Sequence, residues 1–156
     1  MTYQLRAVIA GEELVRTIAT DLSASGTPLG QGLALMPLTD GLFDSVTNGD
    51  SARVLGFWWL PGGFDERLAE WSATAPVAFV EADYFGGAGS QRAAVWDAGA
   101  LVLGPLGITE DERFPPDGSP ISQALRRLGV VTSGRHDEFD AVRLGRHRHV
   151  EDWAAD

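Results

Sequence analysis

The sequence of 156 residues contains no cysteine and no lysine, and each absence excludes a class of chemistry. Without cysteine there is no disulfide framework, no thiol nucleophile and no thiolate metal site. Without lysine there is no Schiff-base lysine, no phosphate-binding lysine of the P-loop type and no kinase-type catalytic lysine. All twelve basic residues are therefore arginines.

Long apolar runs and targeting signals are also missing. No apolar run approaches the roughly 18 residues of a membrane span. The opening residues MTYQLR lack the basic, apolar and small-residue regions of a signal peptide. The G-x-S-x-G pattern of α/β-hydrolases occurs nowhere, which argues against that enzyme class. We therefore expect a cytoplasmic protein that does not contact a membrane.

Positive charge is scarce, because 22 acidic residues against 12 basic ones give a formal net charge of −10. Such a charge opposes binding to nucleic acid and suits a basic protein partner. An acidic protein without such a partner is the alternative that the composition leaves open. The length and the hydrophobic fraction of 44% predict a single globular domain over residues 1–156. Nothing in the sequence indicates a cofactor.

A meander of three strands is the central prediction for the fold. Residues 77–84, 93–96 and 100–103 are rich in β-branched, aromatic and small residues, which favours strands. Residues 97–99 read Asp-Ala-Gly, a hairpin connection with glycine where a left-handed residue is needed. The glycine-rich residues 86–90 are interpreted as a flexible loop between the first two strands. The pattern therefore predicts an antiparallel meander.

The remaining chain predicts an α+β domain with a mainly antiparallel sheet and about three packed helices. Apolar residues at helical spacing indicate two of these helices. The third is marked by Ser119 as its N-cap, Pro120 as its first residue and Gly129 as the residue that ends it. A loop at 23–32, a connection at 105–118 and a docked tail at 137–156 complete the prediction. Further predicted elements are strands at 2–9, 32–37 and 130–131, helices at 12–23 and 64–73, a short helical turn capped by Thr39-Asp40, a turn at 48–50 and an apolar segment at 52–60.

Two carboxylates of the meander are candidate site residues. Glu81 and Asp83 are two apart in the first strand, so they project from the same face. Two close carboxylates can share a proton, bind a metal or pair with an arginine, and Arg92 is the nearest arginine on the next strand. The structural alternative is a solvated or arginine-paired surface feature. No third converging ligand is identifiable, so no metal site is predicted.

The glycine-rich segment invites comparison with a phosphate-binding loop. Gly86, Gly87 and Gly89 precede a predicted strand, whereas phosphate loops lie between a strand and a helix. The missing lysine also argues against nucleotide binding. We interpret the segment as a hairpin tip that could meet a partner.

Two adjacent tryptophans form a further candidate site. In a strand, Trp58 and Trp59 would face opposite ways, so only one of them needs to be buried. An exposed tryptophan here would be a good anchor for a protein partner. The alternative is that both pack, one into the core and one beneath a loop.

Three segments carry a resemblance to a known family. They are VEADYFGGAGSQRAAVW at 80–96, SPISQALRRLGVV at 119–131 and DEFDAVRLGRHRHVEDW at 137–153. Together they resemble a family of small, uncharacterised bacterial proteins, some of which look like immunity proteins of polymorphic or contact-dependent toxin systems. The resemblance covers the C-terminal half of the chain and implies no catalytic residues.

The resemblance implies a domain that inhibits a basic bacterial toxin domain through an acidic surface. Carboxylates on such a surface would raise the association rate and the specificity. The candidate residues are Glu81, Asp83, Glu110, Asp111 and Glu112, with Trp58 or Trp59 as the apolar anchor.

Two other function classes stay open at this point. The first is a small enzyme or ligand-binding protein that uses Glu81, Asp83 and Arg92 in a cleft beside the glycine-rich segment. The second is an accessory domain that assembles with copies of itself.

Overall fold

A computed structural model describes residues 2–47, 53–86 and 88–154. The strands are β1 (Thr2–Gly11), β2 (Thr27–Gly30), β3 (Leu33–Pro37), β4 (Val77–Phe85), β5 (Ala88–Asp97) and β6 (Ala100–Ile108). They form one antiparallel sheet in the order β2-β3-β1-β4-β5-β6. The helices are α1 (Glu12–Asp21), α2 (Asp40–Val46), α3 (Phe64–Trp71), α4 (Pro120–Arg127), α5 (Glu138–Ala141) and α6 (Val150–Ala154), with a 3-10 turn at Leu144–Arg146. The predicted α+β class is confirmed.

The predicted meander is confirmed as β4, β5 and β6, and its strands are longer than predicted. Ala98 and Gly99 both have positive φ, at 52° and 85°, as a tight hairpin turn with the twist of the strands requires. β5 begins at Ala88, so the interpretation of residues 86–90 as a flexible loop is wrong for Ala88, Gly89 and Ser90. A side chain at Gly89 would collide with the backbone of Asp83 and Tyr84 on β4. Close strand pairing, rather than a ligand, therefore requires glycine at this position.

Helices cover both faces of the sheet. Alternate residues of β4 divide between the faces, with Val77 and Phe79 in one core cluster and Ala78 and Val80 in the other. The first cluster also contains buried residues of α1, α2 and α3, and we call this side the α1–α3 face. The second contains buried residues of α4 and α6, and we call it the α4–α6 face. This alternation decides which β4 side chains share a site.

The predicted helix ends are confirmed where a capping residue is present. The Thr39 hydroxyl accepts a hydrogen bond from the Leu42 amide at 3.2 Å and begins α2. The Ser119 hydroxyl accepts one from the Ser122 amide at 3.2 Å, with Pro120 as the first helical residue of α4. Gly129, with φ of +102°, follows the end of α4. Each cap satisfies an amide that the helix leaves unpaired.

Several element predictions are wrong. Residues 23–32 contain β2, and the connection predicted at 105–118 begins as a strand that continues to Ile108. Residues 130–131 form no strand. Six α-helices occur among the described residues: the three predicted helices, the predicted short turn as α2, and the unpredicted α5 and α6, which span only four and five residues. The turn predicted at 48–50 lies outside the described residues.

The C-terminal tail packs on the sheet, as predicted. Val142, Leu144 and Trp153 are buried in the cluster of the α4–α6 face. The Gln4 amide donates a hydrogen bond to the Arg148 carbonyl at 2.8 Å, which ties the tail to β1. None of the described helices combines the length and apolar character needed to cross a bilayer.

Candidate functional site: a buried carboxylate beneath two tryptophans

The strand register aligns three charged residues across the middle of the sheet. Arg6 of β1 pairs with Glu81 of β4, which pairs in turn with Arg92 of β5. Directly opposed residues in antiparallel strands have their Cβ atoms about 5 Å apart. Glu81 belongs to the same alternate set as Val77 and Phe79, so the row lies on the α1–α3 face. Glu81 therefore lies between two arginines in the sheet, and among the described residues neither guanidinium forms an ion pair with its carboxylate.

The carboxylate of Glu81 is buried and accepts two backbone hydrogen bonds. Only 1% of Glu81 is exposed. Its Oε1 accepts the Trp58 amide at 2.9 Å and its Oε2 accepts the Trp59 amide at 2.6 Å. We call Glu81, these two amides and the flanking Arg6 and Arg92 the carboxylate clamp. Because both oxygens bind backbone amides, the clamp fixes the irregular segment at 54–60 against the sheet.

The two arginines of the clamp also stack on the two tryptophans. The Arg6 guanidinium carbon lies 4.0 Å from the centroid of the Trp59 ring, and that of Arg92 lies 3.8 Å from the centroid of the Trp58 ring. Both distances are typical of cation–π contacts. Trp59 also meets Phe43 edge-on at 5.1 Å and is partly buried, whereas Trp58 is 41% exposed. The backbone amide of Trp58 is thus bound by the Glu81 carboxylate, and its ring is in contact with the Arg92 guanidinium.

Burial and attraction act on Glu81 in opposite directions. Burial raises the pKa of Glu81 above its ordinary value, and the Trp58 and Trp59 amides with the charges of Arg92 and Arg6 offset only part of that rise. Arg6 is itself anchored, since its Nε donates to the Leu38 carbonyl at 2.7 Å and its guanidinium pairs with Asp40. These contacts give Glu81 a positioning role in the fold.

The predicted acid pair does not converge on a shared site. Glu81 and Asp83 do project from the same face, but Asp83 is exposed while Glu81 is buried. The cavity that they border with Trp58 has a volume of about 80 Å³, well below the roughly 300–1,000 Å³ of small-molecule sites. This geometry offers no space for a substrate between the two carboxylates.

The other predicted residues gather at one end of the sheet. Phe85 follows Asp83 on the same face of β4 and is 75% exposed. The exposed segment Glu110-Asp111-Glu112 comes soon after Ile108, the last residue of β6. Ile108 pairs with Gln91 of β5, and Ser90, the residue before Gln91, pairs with Asp83 of β4. Adjacent strands lie about 5 Å apart, so the acidic segment leaves β6 at the same end of the sheet. We define the sheet-end surface as Trp58, Asp83, Phe85, Glu110, Asp111 and Glu112.

The glycines of the hairpin contribute backbone geometry to this end of the sheet. Gly86 has φ of +64° in the turn after β4, a conformation that favours glycine. Gly89 lies within β5, and Gly87 lies outside the described residues. Across 2–47, 53–86 and 88–154, no group of three or more histidine, aspartate or glutamate side chains is arranged to hold a metal ion.

Sequence reasoning missed Arg6, which completes the clamp. Arg6 could have been noticed because it lies on the same face of β1 as Val8 and Ala10, which are buried. A charged residue in such a position needs a buried partner. The partner could not be named without the register that pairs Arg6 with Glu81.

The carboxylate clamp and the sheet-end surface meet at Trp58, which belongs to both. Trp58 and Asp83 border the same small cavity, so the buried and exposed parts of the site are continuous. No protein-family model, curated protein or solved structure matches this chain.

Proposed function

We propose that the protein is an acidic protein-binding domain of the immunity type and that its sheet-end surface binds a basic bacterial toxin domain. The observation that carries this proposal is the state of Trp58, which is 41% exposed and yet fixed through its amide by Glu81 and through its ring by Arg92. The role places the protein in the cytoplasm, where such a toxin would act.

A rigid, exposed tryptophan is a favourable anchor for a partner. Tryptophan is enriched among the residues that dominate binding energy at protein interfaces. Ordering a mobile side chain on binding costs about 0.5–1.5 kcal/mol, and this cost falls when the side chain is already held in place. Phe85, on the same side of β4 and 75% exposed, adds a second aromatic contact. The clamp therefore supports a pre-organised apolar centre.

Charge around this centre favours a basic partner. Asp83 lies between Glu81 and Phe85 on β4, and the exposed Glu110-Asp111-Glu112 segment lies at the same end of the sheet. The net charge of −10 adds a long-range field of the same sign. Complementary charge raises association rates and excludes acidic competitors. The C-terminal half resembles a family of small bacterial proteins, some of which look like immunity proteins, and this resemblance implies the same partner class.

The enzyme or ligand-binding alternative gains no support from this geometry. It required Glu81 and Asp83 to act together in a cleft. Both oxygens of Glu81 instead accept backbone amides, and the adjoining cavity measures about 80 Å³. Self-assembly through the sheet-end surface is opposed by its own like charges.

The proposal is tested by mixing the purified protein with toxin domains encoded beside its gene. We expect a complex at micromolar concentration or tighter, together with protection of cells that express the toxin. Asp83→Lys should weaken the complex by about tenfold or more, which corresponds to roughly 1.4 kcal/mol. Glu13→Lys is the matched control, because it makes the same charge change at an exposed position of α1, which follows the end of β1 that lies away from Asp83. Absence of both complex and protection would refute the proposal.

A further inference from the structure

A second site lies on the α4–α6 face, away from the carboxylate clamp. A cavity of about 430 Å³ opens between the start of β1, the end of β4, α5 and the loop that precedes α4. Its volume falls within the range of about 300–1,000 Å³ that small-molecule sites occupy. Four aromatic residues form most of its apolar wall, and we call it the aromatic cavity: Tyr3, Tyr84, Phe114 and Phe139.

Three polar side chains along this wall are engaged by the protein, whereas the buried Tyr84 hydroxyl has no partner in hydrogen-bond geometry among the described residues. The Tyr3 hydroxyl donates to the Leu144 carbonyl at 2.8 Å. The Gln91 Oε1 accepts the Ile121 amide at 3.1 Å, and the Ser119 hydroxyl caps α4. Burial raises the pKa of Tyr3 and of Tyr84, so both phenols stay neutral near neutral pH. A molecule that enters the cavity therefore meets apolar surface along most of its length.

Two charged residues border the cavity, and they differ in how they are engaged. Asp137 caps α5, with its Oδ1 accepting the Asp140 amide at 2.8 Å. Arg148 is exposed, and among the described residues no carboxylate forms an ion pair with its side chain. Asp137 keeps its negative charge although one of its oxygens is engaged, so the positive charge that an anionic ligand can use is the guanidinium of Arg148, which is a good partner for a carboxylate.

We propose that the aromatic cavity binds a small monocarboxylate with an apolar body, such as an aromatic or medium-chain acid. The apolar body packs among the four aromatic rings, and the carboxylate lies at the mouth against Arg148. Phe114 supports this assignment, since it borders the cavity and remains 53% exposed, so a ligand would cover apolar surface that the protein leaves open. The site is independent of the toxin-binding proposal, because Tyr84 and Glu81 point to opposite faces of β4.

The test is titration calorimetry of the full chain with 3-phenylpropionate and octanoate, each compared with its uncharged amide. We expect at least one acid to bind with a dissociation constant below about 1 mM, the range for ligands of this size. The amide should bind at least tenfold more weakly. The pair of acids shows whether the cavity prefers an aromatic or an aliphatic body.

Substitutions at two exposed positions test whether the ligand binds in this cavity. Arg148→Gln should weaken the acid at least tenfold without affecting the amide, and Phe114→Ser should weaken both. Arg127→Gln is the matched control, because Arg127 is an exposed arginine of α4 that does not border the cavity. The proposal is overturned if neither acid binds, if acid and amide bind equally well, or if Arg148→Gln and Arg127→Gln have the same effect.

Discussion

The amide of Trp58 donates a 2.9 Å hydrogen bond to the buried carboxylate of Glu81, twenty-three residues later in the chain. This bond joins an exposed aromatic side chain to the middle of the sheet. The neighbouring Trp59 amide occupies the other carboxylate oxygen at 2.6 Å. The segment that carries both tryptophans is irregular, and this carboxylate holds it together with the buried Phe57 and Leu60 and the isolated bridge that pairs Arg53 with Pro61.

Replacing Glu81 by glutamine should destabilise the fold. The glutamine side chain keeps one accepting oxygen but places its own amide group against the second backbone N–H, which leaves a buried donor unpaired. We expect a loss of about 1–3 kcal/mol in the free energy of unfolding, measured by urea denaturation. Asp83→Asn is the matched control on the same face of β4, and as an exposed change it should stay within about 0.5 kcal/mol. Equal effects of the two substitutions would contradict the role of the clamp.

Replacing Arg6 by methionine should also destabilise the fold, although no sequence motif marks this residue. The change removes the hydrogen bond to the Leu38 carbonyl, the pair with Asp40, the stack on Trp59 and one of the two charges beside Glu81. Because Asp40 is 78% exposed, most of the loss comes from the contacts of the buried guanidinium, and we expect about 1–3 kcal/mol in the free energy of unfolding. Thermal unfolding followed by circular dichroism would measure the loss. Arg16→Met, at an exposed position of α1, is the control and should leave the midpoint nearly unchanged.

The pair of Arg126 and Glu138 should make stability depend on pH in the acid range. Burial acts to raise the pKa of Glu138, but the hydrogen bond and charge of Arg126 outweigh it, and the pKa lies below the ordinary value of 4.5. The folded state therefore holds this proton less tightly than the unfolded chain does. Its stabilising contribution is complete above the unfolded pKa and is lost as the pH falls through the folded pKa.

Arg126→Gln tests that dependence directly. Near neutral pH the free energy of unfolding of the wild type should exceed that of the variant by about 1 kcal/mol or less, because the Arg126 side chain is half exposed. The difference should shrink as the pH falls through the folded pKa of Glu138, down to the pH-independent remainder from the hydrogen bond of Arg126 to the Asp117 carbonyl. Urea midpoints measured across this range would show the decrease. A difference that is constant with pH would contradict the pairing.

Two glycines should respond to alanine with opposite signs. Gly89→Ala should destabilise the protein by about 2 kcal/mol or more, because the added carbon collides with the backbone of β4. Gly41→Ala should stabilise it by about 0.5–1 kcal/mol, because Gly41 lies in α2 with open space around the added carbon. Unfolding midpoints of the two variants provide the comparison. A tolerated alanine at position 89 would show that the close pairing is absent.

Local sequence signals were sufficient for much of this fold. The β-branched residues of β4 and the Asp-Ala-Gly turn after β5 predict the meander, since both depend on neighbours in the chain. Ser119, Pro120 and Gly129 mark the ends of α4 for the same reason. β2 escaped prediction because the four residues Thr-Pro-Leu-Gly contain a proline and a glycine and form a short edge strand.

The site required information that local patterns do not contain. The two-residue spacing within a strand places Glu81 and Asp83 on one face. It does not show that the segment at 54–60 covers Glu81 and leaves Asp83 exposed. The partnership of Arg6 with Glu81 depends on the register between β1 and β4, which are separated by more than sixty residues. The exposure of Trp58 follows from these long-range contacts, so only the structure reveals it.

The most direct test of the central proposal is the affinity for the proposed partner, a basic toxin domain sought among the products of neighbouring genes, measured by titration calorimetry for wild type, Trp58→Ala and Leu101→Ala. Leu101 is 38% exposed on β6 and pairs with Trp96 at the opposite end of the sheet, which makes it the matched control. We predict that Trp58→Ala weakens binding at least thirtyfold, or about 2 kcal/mol, as expected for a central anchor, and that Leu101→Ala binds like wild type. Equal affinities for Trp58→Ala and wild type would contradict the account.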